Sequence, residues 1–300
     1  MWILFAFLAP ALYAIAEIFD EYLSNRGFKN ISSLIFFACL PNFLFVPVIF
    51  LIERPTMPSF HLLLPLIGVA LTNLLYLYPY YKSLKIEDTS VVSAFFSFGK
   101  IIIPVFAFAF IGEILELREY IGIGIIIFGN VFLAFHTTKK KVKLSKAFYL
   151  IIFASTLLAI EGILFKYMFE QGMSWSTAIG GQLIISCFLG CSVLLLFKKS
   201  RKHILEDRAN FIKNAGFFFT EELFTFLALA AEVYAISLAP VSLVKGIGMA
   251  IPIFVLTYTV AVKRFNPKAF HENTHQGAVV KKIFIFGLII VGLVLIGVSE

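Results

Sequence analysis

Apolar residues gather into ten long runs along the chain, over positions 2–23, 31–52, 62–81, 89–111, 120–135, 147–169, 177–197, 215–238, 241–262 and 283–298. Crossing the ~30 Å hydrocarbon core of a bilayer takes about 20 helical residues, and eight of these runs have that length outright. The fifth and tenth are shorter. The runs are apolar throughout, without the alternation of in-facing and out-facing positions that marks a β-barrel strand. In lipid a backbone must satisfy its own N–H and C=O groups, which a helix does alone. The pattern therefore predicts an all-α membrane protein of ten transmembrane helices.

Composition agrees. Hydrophobic residues fill 60% of the 300 positions and charged residues 14%, where soluble domains run at roughly half and a quarter. The first run is too long for a removable signal peptide and lacks its basic flank and cleavage site, so it is expected to remain as helix 1. The net charge of +7 points to nucleic acid only until the charges are located. Twenty Lys and Arg residues fall in odd-numbered loops, clustered at Lys139–Lys146, Lys198–Lys213 and Lys263–Lys282, and two, Arg54 and Arg118, fall in even-numbered ones. Basic loops stay inside. A multi-pass protein of the cytoplasmic membrane is expected, with odd loops cytoplasmic, both termini outside, and anionic headgroups rather than nucleic acid as partners of the basic clusters. Cys39, Cys187 and Cys191 all lie inside apolar runs, where packing is their expected role, and no cofactor is implied.

Polar, basic positions 137–146 divide the chain into halves, 1–136 and 147–300, with faint self-similarity. Tyr22 precedes Gly27 by the spacing at which Tyr167 precedes Gly172. Gly124, Gly129 and Val131 match Gly287, Gly292 and Val294. Five helices per half would set the second half upside down on the first, so the expected architecture is two inverted five-helix repeats with a site between them. Ser242-Leu243-Val244 followed by Pro252-Ile253-Phe254 resembles the EamA-type repeat of the drug/metabolite transporter superfamily, as do Ser90-Val91-Val92, Gly112-Glu113 and the glycines at 122, 124 and 129. The resemblance implies a transporter fold and no particular substrate. Lys100 stands where that repeat has a proline, Arg264-Phe265 replaces the second Gly-Glu, and the charge asymmetry opposes the termini-inside orientation usual in such proteins.

Ionisable groups within the runs cost roughly 2.5–3.5 kcal/mol each at the bilayer centre, so each needs a reason. Lys100 lies at the middle of the fourth run, too deep to reach either surface easily. Glu161, equally deep in the sixth run and next to Gly162, is a carboxylate of the opposite half able to pair with it. Glu17, Asp20 and Glu21 share one helical face; Glu17 is the deepest, while Asp20 and Glu21 are expected to meet headgroups or nearby basic residues. Of Glu221 and Glu222, which point different ways, one is expected to line a cavity. Lys245 and Glu232, on either side of the Ala239-Pro240 turn, are expected to pair with each other. Lys100, Glu161, Glu17, Glu221 and Lys245 are thus the candidate substrate-binding residues. Tyr76, Tyr78, Tyr80 and Tyr81 read as an interfacial belt.

The expected function is a secondary transporter, not an enzyme, moving a small metabolite such as an amino acid or amine, with buried carboxylates available for proton coupling. Two other classes are kept. His271-Glu272-Asn273-Thr274-His275 fits a zinc-hydrolase pattern, though that chemistry needs one helical face, a third ligand and a cleft. A non-transporting structural membrane protein would have its buried charges paired and no central cavity.

Overall fold

A computed structural model describes residues 1–87, 89–137, 145–265 and 287–296. Among these residues the regular structure is helical. In chain order the helices are α1 (Trp2–Tyr22, extended by a π-turn Leu23–Gly27), α2 (Ile31–Cys39), α3 (Asn42–Ile52), α4 (Phe60–Leu84), α5 (Thr89–Lys100), α6 (Ile102–Ile111) and α7 (Leu117–Thr137). They continue with α8 (Lys146–Glu170), α9 (Trp175–Leu196), α10 (Lys198–Leu238), α11 (Val241–Ile247) and α12 (Ile251–Phe265), and end with α13 (Gly287–Ile296). Wherever they are described, the ten apolar runs are helical. Among the described residues seven helical stretches are long and apolar enough to cross a bilayer, and α13 is a shorter apolar helix. The protein is a multi-pass helical membrane protein.

The fourth and ninth runs are each interrupted, and for the same reason. Proline removes the N–H that would bond the carbonyl four residues back. Pro104 stands four residues after Lys100, where α5 stops, and Pro252 stands four after Gly248, where the 3₁₀ turn Gly248–Ala250 separates α11 from α12. Asn130 of α7 donates its amide to the carbonyl of Met249 within that turn (3.0 Å). A third break, at Leu40-Pro41, divides the second run into α2 and α3. The eighth run differs from expectation at its start: α10 begins at Lys198 and runs 41 residues, because no glycine or proline interrupts the polar stretch before Gly216.

The helices pack largely in pairs between the first and second parts of the chain. α1 lies along α10 and α4 along α8; α1 meets α12 and α5 meets α8; α2 meets α10 and α4 meets α9; α3 packs on α9. Small side chains make the close approaches, since dispersion rather than apolar exclusion drives helix association in lipid. α1 buries Ala6, Ala9, Ala14 and Ala16, and α8 buries Ala147, Ala154, Ser155, Ala159 and Gly162. α7 crosses α13 at Gly122 and Gly292, where a Cβ on either would fall 2.8 or 2.7 Å from the other's carbonyl oxygen.

Three carboxylates tie the halves at their edges by binding backbone N–H groups at helix N-termini, where negative charge is favoured. Glu53 accepts from Ser176 N at the start of α9 (2.8 Å). Glu113, just past the left-handed Gly112 that ends α6 (φ 67°), accepts from Val241 N (2.7 Å) and Ser242 N (3.0 Å) at the start of α11. Asp207, on the polar part of α10, accepts from Lys29 N (3.3 Å) and Asn30 N (3.1 Å) at the entrance to α2. Burial works to raise the Asp207 pKa, but the hydrogen bonds from Asn210, Lys29 and Asn30 outweigh it and hold the carboxyl below its usual range.

Candidate functional site

Between the halves lie two adjoining cavities, of about 100 and about 60 Å³. Asp20, Asn73, Tyr76, Thr225 and Leu229 belong to the walls of both, so they form one two-lobed site.

The larger lobe collects charge from both halves. Glu17 and Asp20 come from α1 and Lys100 from the end of α5; Glu161 comes from α8, Glu232 from α10 and Lys245 from α11. All six are buried. Glu232 and Lys245 form an ion pair (2.8 Å). The Lys245 stem crosses α8 at Gly162, where a Cβ would stand 2.7 Å from its Cε, so the glycine there makes room for the lysine. Glu161 Oε1 accepts from the amides of Asn73 (3.1 Å) and Gln182 (2.8 Å). Glu17 accepts from the Ser93 hydroxyl, and Asp20 Oδ2 from Tyr80 (2.8 Å). The Lys100 ammonium lies at the meeting of the two helix breaks, beside Gly248: a Cβ there would be 3.4 Å from Lys100 Nζ and 3.6 Å from Glu232 Oε1. Among the described residues Lys100 has no ion-pair partner. It shares the cavity with Glu161 without pairing with it.

The smaller lobe is acidic. Asp20, Glu221 and Glu222 line it, with Gln182, Asn73 and Thr225, and among the described residues its walls hold no lysine or arginine. Thr225 donates to Glu221 Oε1 (2.8 Å).

The five candidate residues all reach the two lobes, Glu221 in the smaller and the other four in the larger. Three expectations need correction. Both Glu221 and Glu222 face the site, because α10 is enclosed by α1 on one side and by α2 and α9 on the other. Asp20 meets no headgroup but sits in the wall between the lobes; its spacing of three from Glu17 carried that information. Tyr76, Tyr80 and Tyr81 line the site, while Tyr78, half a helical turn away, is exposed with Lys82 over its ring (5.5 Å). Asn73 and Gln182 had no signal in the sequence: an uncharged amide in an apolar run is unremarkable until a carboxylate stands opposite. The His271–His275 motif lies outside the described residues, among which no group of three or more metal-ligating side chains gathers.

Residues 1–135 match the family model described as the EamA-like transporter family, a family of membrane transporters. A solved crystal structure, titled only as that of a protein, is similar over 98% of this chain and 99% of its own, with a TM-score of 0.62 and 14% identity, a likeness of fold alone. No curated protein matches the chain in sequence.

Proposed function

We propose, from the match of residues 1–135 to the EamA-like transporter family model, that the whole protein is a ten-helix secondary transporter of two inverted repeats, 1–136 and 147–300, that carries a small zwitterionic or cationic metabolite through the two-lobed site. The observation that carries this reading is a cavity between the halves, lined by buried charges from both, one of which, Lys100, has no ion-pair partner among the described residues. An unpaired ammonium at membrane depth is costly; a substrate carboxylate would offset that cost on binding. Six carboxyls against two lysines around the lobes favour a ligand with a positive group, an amino acid or an amine. The pairing of helices between the two parts of the chain supports the repeat, which by inverted symmetry would rock about the site. The breaks at Lys100 and Gly248 lie where that motion would need give. A structural scaffold would have closed its core and paired its charges.

Lys100→Met is expected to abolish uptake in proteoliposomes while the protein stays inserted and monodisperse, and Glu161→Gln to change the pH dependence of transport. Normal transport by Lys100→Met would end the proposal. Orientation follows from the basic loops: cysteines placed at Ser145 and Ser59 should react with an impermeant reagent from opposite sides, the second from outside. Labelling of position 145 in intact cells would reverse the assignment.

A further inference from the structure

The smaller lobe differs from the larger in what it leaves unsatisfied. Three oxygens in its lining residues have no hydrogen-bond partner: Asp20 Oδ1, Glu221 Oε2 and Gln182 Oε1. Their residues are 6%, 3% and 1% exposed. A buried polar atom without a partner costs about 1–3 kcal/mol, so three in one lobe need an account. All three are acceptors. Of the donors nearby, the amides of Asn73 and Gln182 turn to Glu161 and the Thr225 hydroxyl to the other oxygen of Glu221, while the Tyr76 and Tyr81 hydroxyls share the lobe with Asp20. The amide of Gln182 cannot turn round to help, because its nitrogen faces a carboxylate that only a donor satisfies. Glu222 adds a third carboxyl, and among the described residues no lysine or arginine lines the lobe beside the three.

A lobe of unpartnered acceptors and like charge calls for a ligand that brings donors and positive charge together. We infer that the smaller lobe is the subsite for a primary ammonium group, held by Asp20, Glu221 and Gln182. An ammonium has three N–H donors, matching the three free oxygens in number and in sign. The lobe's volume of about 60 Å³ is several times the ~15 Å³ that a water needs, enough for the ammonium and the carbon that bears it. The remainder of such a ligand extends past Asp20 and Asn73 into the larger lobe, toward Lys100. The inference rests on the transport reading for the ligand's route, though not for its binding.

The test is thermal unfolding of the purified full-length protein in detergent, titrated with ethylammonium chloride, sodium chloride and tetramethylammonium chloride. A ligand of the folded state raises Tm, its stabilisation growing as RT ln(1 + c/Kd) with ligand concentration c. Ethylammonium is expected to raise Tm with that logarithmic concentration dependence. Sodium should not, nor should tetramethylammonium, which carries the charge without N–H donors. Glu221→Gln and, separately, Gln182→Leu should weaken the ethylammonium response at least tenfold, with Asp20→Asn in reserve for whichever of them does not fold. Lys100→Met should keep it. An equal response to sodium would make the lobe a metal-cation site and overturn the inference. So would an ethylammonium response that survives in the folded lobe variants, or none in the parent protein. The two readings fail separately: normal transport by Lys100→Met removes the carrier but leaves the ammonium shift standing, and a missing shift beside a transport-dead Lys100→Met removes the subsite alone.

Discussion

Glu113 and Glu221 are both carboxylates at the junction of the two halves, and their oxygens are treated in opposite ways. Both oxygens of Glu113 bind backbone N–H groups at the start of α11; one oxygen of Glu221 takes a neighbouring hydroxyl and the other takes nothing. Glu53 and Asp207 side with Glu113, each bound to the backbone at a helix N-terminus. Asp20 sides with Glu221. These carboxylates at the edges of the bundle hold the halves together, whereas Asp20 and Glu221 at its centre each keep one oxygen without a partner, unlike the equally central Glu161 and Glu232. Total acidity therefore says little about a site here; unspent acceptors locate it.

Measurements of stability can break that division. The largest loss is expected where a buried pair is split: Lys245→Met strands Glu232 and should cost about 3–5 kcal/mol, most of it recovered in the double variant with Glu232→Leu. Failure of the second change to restore Tm would mean that Lys245 matters through its packing at Gly162 instead. Next comes Glu113→Ala, which removes two charge-assisted bonds at a helix N-terminus and should cost about 2 kcal/mol in reversible denaturation. Glu221→Gln should cost less than about 0.5 kcal/mol, since one of its oxygens has no partner to lose. Equal losses at Glu113 and Glu221 would erase the distinction between edge and centre.

Between these two lies Asp207, where Asp207→Asn should cost about 1 kcal/mol near neutral pH. Its folded pKa is depressed, so its contribution is present above the usual value of 3.8 and is lost as pH falls through the lower folded value. The Tm gap between parent and variant should close on acidification below about pH 4. A gap that persists there would assign the effect to shape rather than charge.

Much of the fold was legible in the chain. The apolar runs became helices where they are described, but prolines were an uneven guide to the breaks: Pro104 and Pro252 lie four residues after one, whereas Pro47, Pro65 and Pro79 sit inside unbroken helices. Within the site, depth in a run picked out Lys100, Glu161 and Glu17, because a charge far from both ends of an apolar run must find some polar surrounding. Adjacency was a poorer guide. It passed over Glu222 as a neighbour of Glu221, and it read three cavity tyrosines as a belt because Tyr78, in their midst, does face outward. The caps were not legible at all: Glu53 lies 123 positions from Ser176 and Glu113 lies 128 from Val241, and nothing local to a loop carboxylate names a helix start so far away.

By itself the sequence determined that the chain enters a membrane as helices. That follows from the cost of exposing backbone groups to lipid, which is set residue by residue along the chain. Only the tertiary structure decided which acids spend their lone pairs on helix ends and which keep them free. A hydrogen bond depends on separations of about 3 Å between atoms that the chain order leaves far apart.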